Sequence, residues 1–517
     1  MTHDKIKNDS HIAYLHIAAR VLPFAAAVYF FSFVSADPDL WGHITFGAET
    51  WGNKALTKTD PYSFTAHGEP WINHEWLAEV IFYLSYRFLG DAGLLFGKLI
   101  IGLLVVALLW KTCTFQKNMS LVTVGILILA VIVISPAFMI RPQVFSLLFF
   151  TLFLFLLYLY LEKDTDRLYA LPFLMALWVN LHGGFLIGWA ILLAVAGWVT
   201  VLHLTSASIG YDKVEKLWLW VIPTSLATLL NPYGYKLHLF LFNTLSLPRQ
   251  ISEWAPVNLF DLSFPQFKLM AVLFLIIVVS RKPKGNETWQ IVIIAACFTA
   301  AVLHRRHIPF FGITACPYLS FRASGLVKWL DHRRKDLKPT RSSANLLPVF
   351  VTLLAAYLLY GGVRPYVASG CRIIVDPEEY PVGAVQFLSA NEMHGNLLVP
   401  FDWGEYAIWH LYPDCRVSID GRFRTVYPES VIKDHFAAQG HAANWTRLLN
   451  NYPADILLGN QSPFFQKMIR DQGPWLYVYS DPVSIVFLKN NDNNKKVLAD
   501  FRAGKLDYEQ TADVFFP

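Results

Sequence analysis

The chain has 517 residues, 55% of them hydrophobic and only 16% charged, with a formal net charge of +5 and a mean hydropathy of +0.38. A soluble chain of this length would carry roughly 25% charged residues, so a wholly soluble protein is excluded and a polytopic membrane protein with some soluble mass is implied. The net positive charge needs no nucleic-acid partner, because Lys and Arg collect in alternate loops between apolar runs.

In chain order, apolar runs that fit spanning helices of about 17–25 residues lie near 18–36, 91–110, 120–138, 143–161, 168–181, 184–204, 216–230, 266–280, 287–303, 308–322 and 345–362. With the N-terminus inside, the inner loops hold Lys5 and Lys7; Lys111 and Lys117; Lys163 and Arg167; Lys213 and Lys216; and Arg281, Lys282 and Lys284. A last inner segment runs from Arg322 through Lys328, Arg333, Arg334, Lys335 and Lys338 to Arg341, and could also touch anionic membrane lipids. The first span lacks a small-residue cleavage site and reads as a retained anchor. The outer face then holds 37–90, 139–142, 182–183, 231–265, 304–307 and everything after 362. Two domains follow: a transmembrane domain, 1–362, with a large first outer loop at 37–90, and an extracytoplasmic α/β domain, 363–517.

The first outer loop concentrates the polar chemistry. Between 37 and 76 it gathers Asp37, Asp39, His43, Glu49, Asp60, His67, His74 and Glu75 with Trp41, Trp51, Trp71 and Trp76. Ionisable groups beside a bilayer are costly to hold, which points to a functional site, although a solvated loop would also be polar. In Asp37-Pro38-Asp39, one carboxylate could take a proton from an acceptor hydroxyl, or the two could share a divalent cation. The plainer reading is a turn in which Asp caps a helix. Carboxylate plus imidazole suits Mg, Mn or Zn, and Asp39 with His43 is the candidate metal pair. A helix is expected over 40–52, lying at the interface with Trp41 and Trp51 at headgroup depth. Turns follow at Asp60-Pro61 and Glu69-Pro70, and then an amphipathic helix from His74 that stops at Gly90.

Four further outer turns carry charge or hydrogen-bonding groups: Arg141 before Pro142; Asn180 and His182; Asn231, leading on to Glu253 and Trp254; and His304, Arg305, Arg306 and His307. Guanidinium stays charged and matches phosphate oxygens bidentately, so Arg141, Arg305 and Arg306 are natural phosphate receptors. Snorkelling toward headgroups is the alternative for each. The His-Arg-Arg-His run repels itself unless an anion sits there. His182 reads equally as a turn histidine.

Past 363, strands NLLVPF, CRVSID, ADILLG, WLYVYS and SIVFLK alternate with helical pieces, as in a small α/β domain. Asp420, Arg422 and Arg424 stand in an Asp-Gly-Arg turn after the second of these strands, and no Gly-rich phosphate loop occurs. Of five cysteines, Cys371 and Cys415 lie on the outer side, where a bridge is permitted.

The acidic pair after the first span, the large first outer loop, about eleven spans and an outer soluble domain resemble the GT-C superfamily of membrane glycosyltransferases. DPDLWGHITFG, DPYSFT, HEWL, IRPQ, NLHGGF, NPYG, HRRH and DGR together resemble poorly characterised bacterial members near that superfamily. No KPP-like motif of the lipid A aminoarabinose and mannosyl transferases follows the first loop. The resemblance implies an inverting, polyprenyl-phosphate-sugar-dependent enzyme of the bacterial inner membrane acting on a lipid, glycan or protein acceptor. The resemblance implies that Asp37 or Asp39 is the base that activates the acceptor and that Arg141, Arg305 or Arg306 holds the carrier phosphate. The chemistry of the residues themselves adds Glu75 as catalytic, His43, His74, His182, Asn231, Glu253 and His307 as substrate-binding, and a divalent metal, Mg or Mn, at Asp39 and His43 as an expectation. A transporter or assembly factor for a lipid-linked envelope component, or a glycan polymerase or ligase, are the competing readings; transporters concentrate polar groups near the bilayer midplane instead.

Overall fold

The structure is a computed structural model describing residues 19–115, 120–206, 209–245, 251–280, 285–333, 341–440, 442–463, 465, 467, 474–508 and 514–517. Of the basic residues that set the orientation, Lys5, Lys7, Lys117, Arg281, Lys282, Lys284, Arg334, Lys335 and Lys338 lie outside the described residues. The chain divides into two compact units, one made of Met1–Phe33 and Leu95–Cys371 and the other of Val34–Leu94 and Arg372–Pro517. The first outer loop, grouped with the membrane helices on sequence grounds, therefore packs with the C-terminal segment.

The first unit is helical. It contains α1 (Ala19–Phe31) and the second half of α3 (Trp76–Cys113). Next come α4 (Leu121–Ile134), α5 (Gln143–Lys163), α6 (Leu171–Leu181), α7 (Phe185–Ser206) and α8 (Tyr211–Ala227). The remainder are α9 (Tyr235–Leu245), α10 (Pro265–Ser280), α11 (Thr288–Leu303), α12 (Ile308–Arg333) and α13 (Arg341–Ala368). Among the described residues, four helical segments are long and apolar enough to cross a membrane: Trp76–Cys113, Gln143–Lys163, Phe185–Ser206 and Leu347–Ala368. Ala19–Phe31, Leu121–Ala137, Leu168–Leu181, Pro265–Ser280 and Thr288–Leu303 are shorter apolar helices, so the count of eleven crossings stays an expectation of the sequence.

Helix boundaries follow local chemistry. Ser120 accepts the Thr123 amide at 3.2 Å and starts α4, whereas Asp164 ends α5 in a left-handed conformation, φ 51°. Packing in this unit is aromatic: the rings of Phe31 and Phe138 stack at 4.1 Å. A side chain on Gly102 would strike Phe31 and so hold these elements apart.

The second unit holds a five-stranded sheet in the order β2-β1-β3-β5-β4. Its strands are β1 (Gly395–Leu398), β2 (Cys415–Val417), β3 (Ile456–Asn460), β4 (Trp475–Ser480) and β5 (Ser484–Lys489). The pairs β1–β2 and β1–β3 are parallel, and β3–β5 and β5–β4 antiparallel. All five strands expected from the sequence are present. Leu398, Leu448, Leu457, Phe465, Ile485 and Phe487 form the core on one face, and Phe64 of the first outer loop packs against it. That loop also extends the sheet: Ser63 bridges Val417, and the Phe64 amide donates to the Val417 carbonyl at 3.0 Å.

Two helices from the loop region complete the unit. In α2 (Leu40–Asn53) the residues Leu40, Trp41, Gly42, His43, Ile44, Phe46 and Gly47 are all buried. Trp41, expected at headgroup depth, is instead fully enclosed by the rings of Tyr380, Tyr406 and Phe516, while Trp51 is exposed as expected. An apolar face that looks fit for lipid is fit equally for a protein core. The amphipathic start of α3 ends at Gly90, whose φ of 61° and ψ of −156° interrupt the helix. Such a backbone is one that glycine adopts without a Cβ penalty, and the break falls where the sequence places it.

Candidate active site

Within the second unit the acidic residues converge. Asp37 is buried, and its Oδ1 accepts the Asp39 amide at 3.1 Å, while its carbonyl accepts the Leu40 amide at 3.0 Å. Asp37 is thus the turn-forming acid that starts α2. Asp39 follows at the helix N-cap position, but its side chain makes no capping hydrogen bond. The N–H of Gly42, three residues on, donates instead to Oε2 of Glu405 at 3.1 Å. Glu405 belongs to α14 (Gly404–Leu411). A methyl group on Gly421 would overlap both Asp39 Oδ1 and Glu405 Oε1, so the two carboxyl groups share the space that this glycine leaves.

One turn further along α2, His43 lies with its Nδ1 3.7 Å from Glu79 Oε1, and Glu79 Oε2 accepts the Asn73 amide group at 2.5 Å. Burial alone would lower the imidazole pKa. The hydrogen bond to Glu79 and the fields of Glu75, Glu79 and Asp39 outweigh it, and the net shift is upward. His74 pairs with its neighbour Glu75 at 3.5 Å. For Glu405 burial is the largest influence, and the Asp39 and Asp420 carboxylates add to it; Arg422 opposes them without prevailing, and the carboxyl is held well above the usual range.

The Asp-Gly-Arg turn lies beneath this cluster. Arg422 donates to Asp420 through Nε at 2.9 Å and Nη2 at 2.6 Å, and to Asp60 Oδ1 through Nη1 at 2.6 Å. Its guanidinium is also within 5.2 Å of the rings of Phe46, Tyr62 and Trp71. Asp60 is held by the amides of Tyr62 and Ser63 at 3.0 and 3.1 Å. Asp420 and Arg422 therefore clip the first outer loop to the C-terminal domain. Glu49 accepts from Thr57 Oγ1 at 2.8 Å and from the Tyr62 hydroxyl, which makes it part of the same scaffold.

In the helical unit a second cluster forms from residues far apart in sequence. Arg141 Nη1 meets Glu253 Oε1 at 2.7 Å. The guanidinium of Arg306 lies 4.5 Å from the ring centroid of Trp254, and that of Arg305 5.7 Å from Phe264. The Arg305 amide donates to the Ala255 carbonyl at 3.1 Å, and His304 Nδ1 is 2.8 Å from the Trp254 carbonyl. His307 Nδ1 lies 3.2 Å from the Ala300 carbonyl. Arg141 thus pairs with Glu253, and the next residue, Trp254, carries Arg306 on its ring and His304 at its carbonyl.

His182 and Asn231 serve their own turns. The Gly184 amide donates to His182 Nδ1 at 3.0 Å, so this nitrogen is an acceptor and also takes the Ser146 hydroxyl at 2.7 Å. Ser146 in turn accepts Trp178 Nε1 at 2.7 Å. Asn231 Nδ2 reaches the carbonyls of Thr228 and Gly234, and its Oδ1 accepts the Tyr233 amide at 2.9 Å. Cys371 and Cys415 are free thiols.

Among the described residues no group of three or more His, Cys, Asp or Glu side chains is arranged to hold a metal ion. Of the expected Asp39–His43 pair, His43 Nδ1 lies 3.7 Å from Glu79 Oε1 and Asp39 sits beside Glu405 and Gly421. Sequence reasoning missed Glu79 and Glu405. The first was readable as the i+4 neighbour of Glu75 on one helix face, whereas nothing in the sequence around Glu405 marks it.

No protein-family model and no curated relative match this chain. Solved structures do resemble it. An Archaeoglobus fulgidus oligosaccharyltransferase crystallised with a tethered acceptor peptide superposes with a TM-score of 0.53 at 10% identity, covering 93% of this chain and 74% of that one. ArnT from Cupriavidus metallidurans bound to undecaprenyl phosphate gives 0.43 at 12% identity, covering 92% and 97%. The arabinofuranosyltransferase AftD from Mycobacteria gives 0.48 at 12% identity, covering 93% of this chain and 40% of that one. All three are GT-C glycosyltransferases. At these identities a likeness speaks for the fold, which is read from the first structure alone.

Proposed function

We propose that this chain, which has the GT-C glycosyltransferase fold, transfers a sugar from a polyprenyl-phosphate-linked donor to a lipid, glycan or protein acceptor at the outer face of the bacterial inner membrane. Eleven crossings with the N-terminus inside would put the loop after α1 on that side. The observation that carries this reading is the acidic cluster beside α2, in which Asp39 and Glu405 share the space that Gly421 leaves, in a chain with this fold.

The roles follow from charge. Asp39 accepts the proton of the acceptor hydroxyl as its oxygen attacks the anomeric carbon. The bond from that carbon to the phosphate oxygen breaks, and the configuration inverts. The electron pair leaves on the polyprenyl phosphate, and the guanidinium groups assigned to its growing charge are Arg141, Arg305 and Arg306 of the helical unit. Glu75, His74 and the His43–Glu79 pair set the field around Asp39, and Glu253 orients Arg141. A phosphate is a good leaving group, so positioning and charge stabilisation are what the protein must supply.

The test compares lipid-linked and exported glycans in cells with and without the chain, and then in cells carrying Asp39→Asn or the double variant Arg305→Gln/Arg306→Gln. The reading requires a missing sugar and an accumulated lipid-linked donor in the deletion, restored by the wild type and by neither variant. Restoration by Asp39→Asn would sink the base assignment, and with Arg305→Gln/Arg306→Gln inactive it would favour a polymerase or ligase.

A further inference from the structure

We propose that Glu405 is a positioning residue that caps α2 from outside and thereby keeps the Asp39 carboxylate turned toward its reaction. The inference rests on the role given to Asp39 above and goes beyond it in naming what holds that side chain.

An Asp at N-cap ordinarily folds its side chain onto the amide of the second or third helical residue, because the first-turn N–H groups have no partner within the helix. In α2 the third of these is Gly42, and its amide is bonded to Glu405 Oε2 at 3.1 Å. The acceptor comes from a residue 363 positions away in sequence, and the local acid does not compete for the bond. Room for this exchange is made by two glycines. A Cβ on Gly42 would run into the Glu405 carboxyl, and one on Gly421 into Asp39 and Glu405 together. The Trp-Gly-His and Asp-Gly-Arg motifs then share one requirement, which is close approach of backbone to carboxyl oxygen. Arg422, bonded to both Asp60 and Asp420, fixes the strand end from which Gly421 projects. Burial and the neighbouring carboxylates favour the uncharged form of Glu405, so a glutamine at this position reproduces both its shape and its charge.

The experiment uses the full chain purified in detergent and labels carboxylates with a carbodiimide and glycine ethyl ester, reading Asp39 by peptide mass spectrometry. Glu405→Ala removes the acceptor from Gly42, and Asp39, at the N-cap, is the residue whose side chain ordinarily accepts that third amide. Labelling of Asp39 is expected to fall several-fold in Glu405→Ala and to stay at the wild-type level in Glu405→Gln. In the cellular glycan assay Glu405→Ala should lose at least about tenfold in product, in line with the roughly 10²-fold cost of a misplaced catalytic group, and Glu405→Gln should restore it. Unchanged labelling in Glu405→Ala, or an equal loss in Glu405→Gln, overturns the inference. Should labelling respond as stated while Asp39→Asn remains fully active, the positioning stands and the transferase reading falls.

Discussion

Replacing Arg422 by Met tests whether the Asp-Gly-Arg turn is scaffold or substrate contact. The side chain is 4% exposed and its two carboxylate partners are at 0%, so removing the cation leaves Asp60 and Asp420 without a counter-charge in a dry site. Breaking a buried pair from one side costs about 3–5 kcal/mol, and two acids here depend on the same guanidinium. The three ring contacts with Phe46, Tyr62 and Trp71 survive in part, because Met keeps apolar volume against them. For a unit of this size each kcal/mol moves the midpoint by roughly 2–4 °C, giving a fall of roughly 6–20 °C in the unfolding of the second unit. Arg422→Lys keeps the charge but not the fork that spans Asp420 and Asp60, and should fall between wild type and Met. The assay is thermal unfolding in detergent, followed by limited proteolysis at the 54–73 loop, which the clip holds down. An Arg422→Met chain that unfolds within a degree or two of wild type while losing sugar transfer would refute the scaffold reasoning.

Two further expectations concern the polar clusters. The pKa of His43 is raised in the folded chain above its ordinary 6.5, so its protonation contributes stability that is fully present below pH 6.5 and lost as pH climbs through the folded value. Unfolding temperature should therefore decline with rising pH above 6.5, and His43→Gln should remove that part of the slope. For Arg141 and Glu253, the side chains are 20% and 38% exposed, so a double-mutant cycle on stability should give a coupling no larger than about 1 kcal/mol. Arg141→Gln should still depress sugar transfer more than Glu253→Gln does, since only the former removes a charge assigned to the phosphate.

Local chemistry made the fold readable and long-range chemistry hid the site's supports. The five strands of the C-terminal sheet announce themselves because Val, Ile, Leu and aromatic residues alternate between turn residues, and Gly90 announces the end of the amphipathic start of α3. The environment of α2 was not readable, because a helix with Leu40, Trp41, Ile44 and Phe46 buried has the same pattern whether lipid or protein covers it. Nor could spacing separate the motifs that serve their own turns from those that pair with a distant one. His182 and Asn231 stand in segments as unusual as Arg141 does, yet the hydrogen bonds of the first two run to amides, carbonyls and a hydroxyl within their own unit. Glu405 is invisible for a different reason. Its significance lies in one N–H on Gly42, and only the folded chain brings them together.

The same geometry divides the Asp37-Pro38-Asp39 pair into unlike members. Asp37 is 3% exposed and already occupied as acceptor for the Asp39 amide; an oxygen used that way needs no charge, and asparagine supplies it. Asp39, half-buried beside Gly421 and Glu405, has a position that a neutral side chain can fill in shape but not as a proton acceptor. Asp37→Asn should accordingly keep sugar transfer within about threefold of wild type, and Asp37→Ala should lose stability by roughly 1 kcal/mol, as the removal of a turn-capping acid does. Asp39→Asn should leave stability almost unchanged and reduce transfer by about 10² or more. Glycan analysis beside detergent unfolding separates these outcomes. Equal losses of transfer in Asp37→Asn and Asp39→Asn would mean that the two carboxylates act together, as a shared cation or proton would require, and the single-base mechanism would have to be abandoned.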